Sequence, residues 1–155
     1  MSKLKEADFY YGAVLSTLLN NHICPVLIEG GTDRQVYDFT TNQGDFRLFV
    51  KYRSSANSTS NPDYNSWQFV FSRSDMKELK SYMRLDKQLS IGLVCGQSQL
   101  SQSLLAVLHK EELETIFSQG KTSLTISLRK GERLFRISIG GGRDNALRVK
   151  TNRLY

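Results

Sequence analysis

The 155-residue chain is sparing with several residue types: two cysteines, two histidines, two prolines and one tryptophan. Two cysteines exclude a disulfide framework. Cys24 and Cys95 each lie in an apolar run, CPVLIEG and LSIGLVCG, where a small buried thiol is expected and a reducing compartment follows. With His22 and His109 they make four potential zinc ligands, but no Cys-x-x-Cys or His-x-x-x-His spacing organises them. No apolar run is long enough to span a bilayer, and the opening MSKLKEADFYYG is charged and has no small-residue cleavage site. A cytoplasmic protein without membrane contact is expected. There is no Gly-x-Ser-x-Gly elbow for a serine hydrolase, and no Gly-Lys-Ser/Thr follows the glycines at 140–142 to make a P-loop.

Acid is scarce in one region only. Residues 121–155 carry 9 Lys and Arg against 2 Asp and Glu, whereas residues 1–120 carry 12 against 13. The whole net charge of +6 therefore comes from the C-terminal part. A one-signed segment suits a polyanion, because neutralising phosphates supplies most sequence-independent affinity for nucleic acid. A solvated basic surface is the plainer alternative.

The length fits one domain with a real core. Tyr11, Val14, Leu15, Leu18 and Leu19 recur at helical spacing over residues 4–20. CPVLIEG, RQVYDFTT and DFRLFVKYR read as three strands, the last two joined by a tight turn. Residues 54–66 form a polar loop, after which WQFVFS resumes as a strand. Met76, Leu79 and Met83 mark a second helix, with Ser72 and Asp75 placed as a capping box. LSIGLVCG and LLAVLHK read as buried strands and EELETIF as a short helix. TSLTISLR and RLFRISIGGG form a hairpin, and ALRVK a last strand. The order predicts an α/β (α+β) fold with a single central mixed sheet flanked by helices. Aromatic residues bordering the polar loop, Tyr52 and Tyr64, are placed to stack on bases, while Trp67 is expected to fill the core.

The stretch VYDFTTNQGDFRLFVKYRSS carries an acid, Asp38, on one hairpin strand and a base, Lys51, on the next. With Gln43-Gly44 at the turn, Asp38 faces Phe49 and shares a sheet face with Lys51. A turn one residue longer would put the two on opposite faces. Carboxylates that hold Mg²⁺ beside a cation are the kit for phosphodiester hydrolysis.

This helix, strand, hairpin and helix order, with Asp38 followed by Phe49-Val50-Lys51, resembles the PD-(D/E)xK nuclease superfamily over residues 4–110. The resemblance implies a restriction-endonuclease-like core, here 1–110, within a single domain of 1–155, with 111–155 as a basic helix and hairpin extension. It implies Asp38 and Lys51 as catalytic residues. Phe49 stands where the family has a second carboxylate, so the missing acid falls to Glu78 or Asp75 on the second helix, and Asp38, Glu78 and Glu6 are the candidate Mg²⁺ ligands. Asp75 and Asp8 are further acids near those positions.

Arg143, Arg148, Lys150 and Arg153, with Arg53, are the candidate nucleic-acid contacts, DNA being the expected partner. A homodimer is compatible with this reading. The function expected is a nucleic-acid-binding protein resembling a metal-dependent nuclease. The alternative, favoured by the missing carboxylate, is a catalytically inactive nuclease-like DNA-binding or protein–protein interaction module.

Overall fold

The computed structural model describes residues 2–140 and 142–155, and of Arg143 the main chain alone. Three α-helices and nine strands follow in the order α1 (Glu6–Asn20), β1 (Val26–Glu29), β2 (Gln35–Thr41), β3 (Gly44–Arg53), β4 (Tyr64–Val70), α2 (Arg73–Met83), β5 (Gln88–Cys95), β6 (Leu104–His109), α3 (Lys110–Ser118), β7 (Ser123–Arg129), β8 (Leu134–Ile137) and β9 (Leu147–Lys150). The mixed α/β class holds, but the strands divide between two sheets. Sheet A runs β1-β2-β3-β5-β6 and sheet B runs β4-β7-β8-β9. The expected single sheet is corrected because β4 leaves the meander and pairs with β7, Trp67 opposite Ile126 and Phe69 opposite Leu124. Sheet B thus joins a strand from before residue 110 to three from after it.

In sheet A, β3 and β5 are parallel and the other pairs antiparallel. A parallel pair requires a crossover, and α2 provides it. Side chains alternate across β3. Phe46, Leu48 and Val50 pack with Tyr10, Tyr11, Val14 and Leu18 of α1, whereas Phe49 packs with Val36, Leu79, Ile91 and sheet B. The layers are therefore α1, sheet A, then α2, α3 and the inner face of sheet B. Each large apolar side chain fully buried between them contributes about 1.5–3 kcal/mol. The second core is centred on Trp67, whose indole N–H donates to the Gly96 carbonyl at 2.9 Å. The Gly96 N–H in turn donates to the Arg53 carbonyl at 2.7 Å. A Cβ on Gly96 would meet that carbonyl oxygen at 2.4 Å, so the close approach of the chain after β5 to the end of β3 requires glycine.

Two local expectations change. Cys24, expected in the core, is exposed, because β1 is an edge strand on which Val26, Leu27 and Ile28 are exposed as well. Cys95 is buried, and burial pushes its thiol pKa well up. The β2–β3 turn has Asn42 and Gln43 at its tip, with Thr41 opposite Gly44. Gly44 adopts φ 121°, which favours glycine there. Asp38 consequently faces Arg47, not Phe49.

Candidate nucleic-acid interface

Strand alternation divides sheet B into a buried and an outward face. Trp67, Phe69, Leu124, Ile126, Phe135, Ile137 and Val149 point inward. The intervening positions point out, and two cross-strand rows form there. One row runs Ser66, Ser127, Arg136, Arg148, and the neighbouring strand pairs are Tyr64 with Arg129 and Leu134 with Lys150. No strand of sheet B contains an Asp or Glu.

The β7–β8 turn extends the basic surface, since Lys130 and Arg133 are exposed there beside Arg129. Gly131, at φ 86°, permits the reversal. The Glu132 carboxylate folds back, accepting from the Arg129 N–H at 2.9 Å and from Arg136 Nε at 3.4 Å. The Lys130 N–H donates to the Asp63 carbonyl at 2.7 Å, and the Thr151 N–H to the Arg133 carbonyl at 3.1 Å. The turn is thus tied down on both flanks.

Of the residues expected to touch nucleic acid, Arg148 and Lys150 stand on this face. Arg153 turns to α3 and pairs with Glu112. Arg53 ends β3 and lines a separate cleft. The side chain of Arg143 lies outside the described residues. Arg129, Lys130, Arg133 and Arg136 were missed by sequence reasoning. The signal was present in TSLTISLRKGERLFRI, where fixing Leu124 and Ile126 as inward sends Arg129 outward.

The expected catalytic residues do not converge. Asp38 is held by Arg47 at 2.8 and 2.9 Å and by Lys87 at 2.5 Å. The Arg47 hydrogen bonds, against partial burial and with help from Lys87, keep its carboxyl below the ordinary range. Arg47 lies 4.7 Å over the Tyr82 ring near the C-terminal end of α2. Lys51 sits four residues further along β3, about 13 Å at the usual strand rise. There its Nζ donates to Asp75 at 2.8 Å and to the Asp33 carbonyl at 3.3 Å.

Asp75, 2 % exposed, caps α2 and also accepts from Arg34 at 2.7 Å and from the Ser72 N–H at 2.8 Å. Burial opposes its charge, but Lys51, Arg34 and Ser72 outweigh it, and its pKa stays below the ordinary value. Glu78 lies on α2, on the Phe49 side of sheet A, whereas Glu6 lies on α1 across the sheet, beside Tyr52. Asp38, Glu78 and Glu6 cannot share one ion, so this set does not fit Mg²⁺. Phe49 is fully buried.

Beside Lys51 opens a cleft of ≈ 440 Å³, lined also by Thr32, Asp33, Arg53, Ser54 and Ser72. Among the described residues, His109, Glu111 and Glu112 bring potential metal-ligating atoms within 4.8 Å of one another. Glu112 is already engaged there by the His109 N–H and Arg153, and His109 Nε2 lies 3.2 Å from the Tyr155 carbonyl. No helix among the described residues is long and apolar enough to cross a membrane. Compared with family models, characterised proteins and solved structures, the chain matches none.

Proposed function

We propose that the protein is a cytoplasmic nucleic-acid-binding module that holds DNA on the outer face of sheet B and the adjoining β7–β8 turn. The carrying observation is that the strands of sheet B hold Arg129, Arg136, Arg148 and Lys150 and no Asp or Glu of their own, the one carboxylate that reaches Arg136 among the described contacts being Glu132 of the turn. Such a surface draws in phosphate and releases condensed counterions. In this reading the nuclease-like order of elements serves as a scaffold, and Asp38, saturated by Arg47 and Lys87, is a structural residue. The test is fluorescence anisotropy with labelled DNA across a salt series. Binding should weaken steeply with salt, with a log–log slope of about −4 if four to five phosphates are neutralised. It should also weaken in Arg148→Ala/Lys150→Ala. Absence of binding to any nucleic acid at low salt would refute the proposal.

The cleft beside Lys51 favours a second reading. Its exposed acid is Asp33, so hydrolysis there would depend on Asp33 and Lys51. Incubating DNA with the protein and Mg²⁺ separates the readings. The binding-module reading predicts no cleavage, whereas cleavage lost in both Asp33→Asn and Lys51→Ala, and kept in Asp38→Asn, would establish the second.

A further inference from the structure

The outer face of sheet B is rich in donors to phosphate and poor in rings. Along one row the hydroxyls of Ser66 and Ser127, the latter 8 % exposed, lead to the cations Arg136 and Arg148. Tyr64 is the one aromatic residue among the outward strand positions. The other sequence candidate for stacking is occupied, since Tyr52 stacks on Tyr10 with ring centroids 4.8 Å apart, and Trp67 is buried against Gly96. Surfaces that bind single strands without sequence preference rely on several rings, each worth about 1–3 kcal/mol per stacked base. This face does not supply them.

Its dimensions limit the remaining choices. Four strands at about 4.8 Å spacing span roughly 14 Å between outer strand axes, before side chains are added. The major groove is about 12 Å wide and admits a helix or a two-stranded ribbon. The four-stranded face is too broad to enter, and the β7–β8 turn does not act as a free ribbon, because Asp63 and Thr151 tie it to both flanks. The sheet must lie across the backbone ridges, where phosphates are within reach and base edges are not. Neighbouring cations about 5 Å apart across strands, and about 7 Å apart along them, suit successive phosphates.

We infer, resting on the nucleic-acid reading above, that the ligand is duplex DNA held by its sugar–phosphate backbone without base readout. The experiment is competition against a labelled duplex by unlabelled duplexes of unrelated sequence and by a single strand of matched length, with wild type, Tyr64→Ala and Arg148→Ala/Lys150→Ala. Unrelated duplexes should compete equally, and the single strand should compete at least about tenfold less well. Tyr64→Ala should bind like wild type, while the double variant weakens for every duplex alike. A single strand that competes as well as duplex, a strong preference among duplexes, or a loss in Tyr64→Ala matching that of the double variant would overturn the inference. Each of these results leaves the broader nucleic-acid reading standing. That reading fails separately, if the labelled duplex and single strand both go unbound at low salt.

Discussion

The two sheets treat charge in opposite ways. Sheet A mixes signs and cancels them against the helix above: Asp38 with Arg47 and Lys87, Asp75 of α2 with Lys51 and Arg34, and Arg34 again with Glu29. Sheet B carries cations alone on its strands and turns them outward. A charged residue in sheet A is therefore part of how the protein folds, while among the described contacts those on the strands of sheet B meet an acid only at the turn, where Arg136 pairs with Glu132. An acid next to a base in sequence pointed to chemistry in sheet A, but the same attraction that would assemble a site had already closed it into ion pairs. Unbalanced charge was the better guide.

Substitutions should separate the two regions, and the largest effect belongs to Phe49→Glu. In a site awaiting its second carboxylate this change would build metal affinity. In a fully buried position it places a charge in the core and should cost more than about 4 kcal/mol, seen as loss of the cooperative urea transition. Next is Asp75→Ala, which leaves Lys51 and Arg34 facing a buried gap and removes the α2 cap. A loss of about 3–5 kcal/mol in urea unfolding is expected, with the salt dependence of DNA binding in the folded protein unchanged.

Asp38→Asn should cost about 1–2 kcal/mol at neutral pH. Because Arg47 above all holds the Asp38 pKa down in the folded state, the pair contributes fully above the unfolded value of about 3.9 and fades as pH falls through the lower folded value. Wild type and Asp38→Asn should thus differ most in urea midpoint at neutral pH and converge in acid. Smallest for stability is Arg148→Ala/Lys150→Ala, within about 0.5 kcal/mol of wild type. The same variant should lower the salt slope by about one per contact removed, the reverse of the sheet A pattern.

Local chemistry was readable where neighbours in sequence decide it. The Ser72 and Asp75 capping box forms as the spacing indicates, with Ser72 Oγ accepting from the Asp75 N–H at 3.0 Å, and Trp67 fills the core. The β2–β3 register was half readable. Moving the turn from Gln43-Gly44 to Asn42-Gln43 shifts the pairing by two residues, which preserves the shared face of Asp38 and Lys51 but changes the partner of Asp38 from Phe49 to Arg47. Four residues along β3 were enough to separate Asp38 from Lys51. Pairing of β4 with β7 joins Phe69 to Leu124, and no local pattern reports so distant a partner. Without that second sheet, Arg148, Lys150 and Arg153 read as one basic cluster, whereas Arg148 and Lys150 stand on β9 and Arg153 pairs with Glu112 of α3.

The most direct measurement is the amide chemical-shift footprint of duplex DNA on ¹⁵N-labelled protein at low salt. If the outer face of sheet B holds the duplex, the largest changes fall on Gln68, Thr125, Ser127, the 129–133 turn, Arg136, Arg148 and Lys150, and α2 and the residues around Asp38 stay unchanged. Changes centred instead on Thr32, Asp33, Lys51, Ser54 and Ser72, with the outer face of sheet B silent, would contradict that placement.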